Sequence, residues 1–154
     1  MIQQTQPYTD MLNDLLNLFK QQKATVRSHM KNLIELAAVD GNFDKVEYDL
    51  LKSIAKKNGV SESQLKEIRS NPHHVKFEVP SDENEKFQQL YDLVHMMSID
   101  ETVQTEELNL CNLFAIKFGY PKERVDELIY TIRLNIHHGQ TPAETKKRLA
   151  ILMS

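Results

Sequence analysis

The stretch Leu33–Leu51, LIELAAVDGNFDKVEYDLL, constrains this chain more than any other, because a related stretch follows sixty residues later as Leu93–Cys111, LVHMMSIDETVQTEELNLC. Aligned without a gap, Leu33–Ile68 overlays Leu93–Leu128, with identities at Leu33/Leu93, Asp40/Asp100, Glu47/Glu107, Leu50/Leu110, Ala55/Ala115, Lys57/Lys117, Gly59/Gly119 and Glu67/Glu127. Apolar character is kept at Ile34/Val94, Val39/Ile99, Phe43/Val103, Ile54/Phe114 and Leu65/Val125. Each copy reads as a helix end, a tight acidic turn and a new helix. A helical unit that occurs twice, rather than many times, implies two related hairpins around one core instead of a solenoid. A pseudo-twofold packing of the halves is the arrangement to expect.

The chain in order fits an all-α, single-domain bundle of about seven or eight helices over 1–154. Thr9 and Asp10 open a first helix, with Met11, Leu12, Leu15, Leu16 and Phe19 at helical spacing. Repeat 1 spans about 24–70: a second helix from Ala24 to Val39, a stop at Gly41, and a third helix carrying Val46, Leu50, Leu51 and Ile54 inward. Gly41 serves as the stop because it takes positive φ without a Cβ penalty. Asp44-Lys45-Val46-Glu47 and Ser61-Glu62-Ser63-Gln64 both have the spacing of a capping box. The connector 71–80, NPHHVKFEVP, breaks the helical pattern with two prolines and is short enough to keep the halves packed together. Repeat 2 spans about 81–138. Ser81 is placed to cap its first helix, Leu110, Leu113, Phe114 and Phe118 lie on its second, and Pro121 stands at the first position of the next. A closing helix over 141–153 begins at Thr141-Pro142-Ala143-Glu144. The first and last helices lie outside the repeat, free to cover the core or to exchange with a neighbouring chain.

Composition narrows the function classes. Charged residues make up 27% and hydrophobic residues 40%, with a net charge of −3 and both signs mixed along the chain. Phosphate-backbone binding leaves a basic footprint, and none is present, so nucleic acid is not an expected partner. No apolar run is long enough to span a bilayer, and the first residues lack the basic start and apolar core of a signal peptide. A single cysteine, Cys111, excludes an intrachain disulfide and suits a reducing, cytoplasmic setting.

Leu36-Ala37-Ala38-Val39-Asp40-Gly41-Asn42-Phe43, with Glu47 and Leu50-Leu51 behind it, resembles the TerB-like family associated with tellurite resistance. The second turn, Ile99-Asp100-Glu101-Thr102-Val103 with Glu107, looks like the weaker internal copy of that family, with Glu101 where the first has Gly41. The likeness covers roughly Ala24 to Ile136. It implies an all-helical, non-enzymatic bacterial protein linked to stress or membrane-associated complexes; the function to expect is that of a protein-interaction adaptor, with a divalent-metal sensor or buffer using the acidic turns as the alternative. It also implies that acidic turn residues bind a divalent metal, and residue by residue this points to Asp40, Glu47, Asp100 and Glu107.

The residues themselves leave two readings of the first turn. With Gly41 as the sixth residue of a calcium loop, Asp40, Asp44 and Glu47 fall on ligand positions, but Leu36 and Ala38 occupy two others and cannot ligate. The turn alone is therefore not a cation cage. Asp100 and Glu107 would complete one only if the two turns meet in space. Otherwise Asp44 and Glu47 simply cap the helix. His73-His74 and His137-His138 are poor chelates by themselves, since adjacent helical residues point about 100° apart. His95 is expected on a helix surface. Cys111 aligns with Leu51 and reads as a core position rather than a nucleophile. No glycine-rich phosphate loop or serine elbow is present. No cofactor is required, a divalent metal being the one candidate, and the partners to expect are another protein or a second copy of the chain.

Overall fold

A computed structural model describes residues 6–152 except 40, 42 and 101, with side chains placed over 8–16 and 24–151 apart from those three. It is an all-α bundle: α1 Gln6–Ala38, α2 Lys45–Lys57, α3 Glu62–Ser70, α4 Glu83–Ser98, α5 Thr105–Lys117, α6 Val125–His137 and α7 Pro142–Leu152. Single 3-10 turns lie at Pro72–His74 and Lys122–Arg124, and no strand occurs among the described residues. No helix in the described residues is long and apolar enough to cross a membrane.

The two helices expected before the first turn are one, a continuous α1 of 33 residues. Between Phe19 and Ala24 stand Lys20, Gln21, Gln22 and Lys23, all good helix formers, with no glycine or proline to stop the helix. Its second half is the centre of the molecule, with Met30, Leu33 and Leu36 fully buried. It packs chiefly against α4, whose Leu90, Leu93, Val94 and Met97 are fully buried as well.

The helices behind the two turns, α2 and α5, have bounds sixty residues apart. Leu51 and Cys111 are both fully buried, as are Leu33 and Leu93. The backbone closes the same way after each helix: the Val60 N–H donates to the Ala55 carbonyl at 2.8 Å, and the Tyr120 N–H to the Ala115 carbonyl at 3.1 Å. Val46, expected inward, is instead 51% exposed, and Leu113 on α5 is 44% exposed. The inward row of α2 is Glu47–Leu51–Ile54, and that of α5 is Glu107–Cys111–Phe114. Val46 and Leu113 each sit one residue ahead of a member of these rows, about 100° round the helix. A buried carboxylate thus heads each row.

Several helix starts are refined. The Ser61 and Gln64 box forms fully, with both bonds present. Asp82 rather than Ser81 caps α4, its Oδ2 accepting from the Glu85 N–H at 3.0 Å. Pro121 precedes a 3-10 turn, and α6 begins only at Val125. The connector lies against both halves: Ser28 Oγ of α1 accepts from the Glu78 N–H at 2.9 Å, and Phe77 stacks on Phe114 of α5 with centroids 6.4 Å apart. Phe19 carries a side chain outside the described range.

Candidate metal centre at the joined turns

The first turn leaves α1 at Ala38, whose carbonyl accepts from the Gly41 N–H at 3.0 Å. Gly41 has φ +79, and a Cβ there would meet nothing within 4 Å, so backbone conformation alone selects glycine. Asp44 is the N-cap of α2, its Oδ1 accepting from the Glu47 N–H at 2.9 Å. Glu47, the other member of the expected capping box, is buried. The turn is anchored to α3 by Arg69, whose guanidinium lies 4.7 Å from the Phe43 ring centroid and 5.8 Å from that of Tyr48.

The second turn differs. Asp100 Oδ1 accepts from the Thr102 N–H at 3.3 Å, and Glu107 Oε1 accepts from the N–H of Gln104, the residue that caps α5, at 3.3 Å. Glu107 is buried and serves its own helix start.

The turns meet. One carboxylate oxygen from each of Asp44, Glu47 and Asp100 lies within 4.8 Å of the other two. Two carboxylates about 4 Å apart repel by about 4 kcal/mol at the effective dielectric of a protein surface. Neither Asp44 nor Asp100 has a lysine or arginine within ion-pair distance among the described residues. The donors are all oxygen, the set that suits a hard divalent cation such as calcium, magnesium or manganese rather than a thiophilic metal. Asp44 and Asp100 each accept a backbone N–H, and Glu47 is buried. The residues present therefore fit such an ion, with water left to complete its shell. Of the five acidic residues singled out in the sequence, these three come together. Glu107 stays on its own cap, and Asp40 lies outside the described residues, as does Glu101.

The other candidates do not assemble. His73 and His74 touch edge to face at 4.3 Å, as do His137 and His138 at 5.6 Å, and no described histidine joins a group of three metal-ligating side chains. His95 is half-buried against Tyr91 rather than on the surface, and burial pulls its pKa below the usual value. Cys111 is fully buried, and burial pushes its thiol up to about 12, which removes the thiolate a nucleophile needs.

One polar cluster escaped the sequence reading. Between α1 and α4, buried His29 Nε2 and Asp92 Oδ2 are 2.9 Å apart, while toward the surface Gln88 Nε2 donates to Asp92 Oδ1 at 3.0 Å and Thr25 Oγ1 donates to Glu85 at 3.0 Å. The available signal was Asp92 itself, a charge set inside the apolar run Leu90–Met97. Such a residue is buried only with partners.

No protein-family model, curated protein or solved structure matches this chain.

Proposed function

We propose that this chain is a non-enzymatic, TerB-like helical adaptor that takes a hard divalent cation where its two acidic turns join. The observation that supports this is the approach of Asp44, Glu47 and Asp100 to within 4.8 Å of one another. Asp100 belongs to the turn after α4, whereas Asp44 and Glu47 belong to the turn after α1. A cation held by all three cross-links the two hairpins and offsets a repulsion that otherwise pushes them apart. Its loading sets how firmly the turns are joined, and with that the surface offered to a protein partner. The TerB likeness supports a role in a bacterial stress response of the tellurite-resistance kind. The sealed Cys111 thiol and the separated histidines support binding rather than catalysis.

The test is a titration with calcium, manganese and zinc, following thermal unfolding. A ligand at a hundred times its dissociation constant adds about 2.7 kcal/mol of stability. Calcium or manganese is expected to raise the melting temperature at lower concentration than zinc. Absence of any shift with all three ions refutes the cation.

A further inference from the structure

The outer face of α6 is open and carries its own complement. Tyr130 and Leu134 stand on it, 63% and 43% exposed. With Arg133, His137 and the residues Ser98 and Val103 that flank the second turn, they line a groove of about 430 Å³. Arg133 is half-buried and makes no ion pair among the described residues. An apolar groove around a cation that pairs with no described acid marks a binding surface.

Charge is sorted along the same face. Asp126 and Glu127, both exposed, precede Tyr130 by one turn, and Arg133 and Leu134 follow it by one turn. At about 100° per residue, Asp126 and Arg133 fall on one edge of the face and Glu127 and Leu134 on the other, with Tyr130 in the middle. The edge with Asp126 and Arg133 is the one beside α5. Asp126 Oδ1 accepts from Asn112 Nδ2 of α5 at 3.2 Å, and the charge of Arg133 acts on the Cys111 thiol of the same helix. Acid early and base late also suits the dipole of α6 itself. The dipole gives no account of the exposed Tyr130 and Leu134 beside those charges.

We propose that two copies of this chain associate through this face, their α6 helices lying antiparallel about a twofold axis at Tyr130. Such an axis keeps each edge of one helix beside the same edge of the other while reversing its direction. Asp126 of each copy then meets Arg133 of the other, and the two Tyr130 rings cover one another. On the opposite edge, Leu134 of each copy lies over the aliphatic part of Glu127 of the other. A parallel pairing would instead set Asp126 against Asp126 and Arg133 against Arg133. The occupant is a second copy because one helix face supplies both signs, in the order that an antiparallel twofold requires. Two helix faces make a small interface, so the association depends on concentration. The inference stands apart from the cation, because no ligand of the acidic cluster lies on this face.

The test is the solution mass of the full chain by sedimentation equilibrium across a concentration series. The parent protein is expected to rise from the monomer mass toward twice that value. Tyr130→Asp, Asp126→Lys and Arg133→Glu are each expected to raise the dimer dissociation constant about tenfold or more, with helical content unchanged by circular dichroism. Mixing Asp126→Lys with Arg133→Glu is expected to restore association, because every contact in the mixed pair again joins opposite charges. A parent that is monomeric throughout overturns the proposal. So does a dimer that Tyr130→Asp and Asp126→Lys leave intact; both positions are exposed, and this reading holds even if Arg133→Glu disturbs the fold. A mixture of the two folded charge variants that associates no better than either alone also overturns it.

Discussion

The two acidic turns begin from the same pattern and use their carboxylates differently. In the second, Glu107 accepts the Gln104 N–H and completes its own helix start. In the first, Asp44 caps α2, and Glu47, one turn into the helix, approaches Asp44 and Asp100. The aspartate of the second turn thus faces the glutamate of the first. Asp44 against Gln104 is the substitution that distinguishes the two. A carboxylate at the cap satisfies the first helix end and brings a third negative group to the junction, whereas a glutamine brings no charge. One helix-turn-helix pattern therefore uses its glutamate in two ways, at its own helix start in the second turn and toward the shared acidic site in the first.

The largest expected effect tests whether the helices behind the turns are equivalent. Leu51→Ala, at a fully buried site, is expected to cost about 2–5 kcal/mol. Cys111→Ala, at the aligned and equally buried site, removes one atom and is expected to cost about 1 kcal/mol. Urea unfolding of the two variants measures both, and equal losses would show that the two rows pack unlike one another.

Cation-dependent stability separates the turns next. The gain of about 2.7 kcal/mol at a hundredfold excess over the dissociation constant is expected to vanish in Asp44→Asn/Glu47→Gln and in Asp100→Asn. It is expected to persist in Glu107→Gln, where the glutamine oxygen still accepts the Gln104 N–H. Melting curves with and without calcium decide this. A gain that survives in the double variant would return Asp44 and Glu47 to a capping role alone.

A smaller effect is expected at the first turn's backbone. In Gly41→Val the Cβ meets nothing within 4 Å, but the residue must adopt φ near +79, a strain of about 1 kcal/mol or more. A variant that melts with the parent would show that this turn adjusts its path. Asp44→Ala in chelator is likewise expected to lose about 1 kcal/mol with the cap. Asp44→Asn in chelator is expected to be neutral to stabilising, because asparagine caps as well as aspartate and no longer repels Glu47 and Asp100. A marked loss there, read from the same unfolding curves, would mean that the charge stabilises the turn without any metal.

How much was legible follows from which physical terms are local. Helix type, the stop at Gly41, the caps at Asp44, Ser61 and Thr141 and the core positions Leu51 and Cys111 are set by periodicity and by bonds within a few residues. The sequence alone determined these. It also marked Asp44, Glu47 and Asp100 as candidates, because acid at a tight turn is visible without a fold. The inward direction of Glu47 over Val46 was not legible, since periodicity favours the apolar neighbour and only the surrounding helices show which row is covered. Nor was the meeting of Asp100 with Asp44. Their proximity depends on how α1 packs against α4, a contact between residues some sixty apart that no local pattern encodes. Tertiary structure decided both, because burial and the distance between two turns are properties of the packed core.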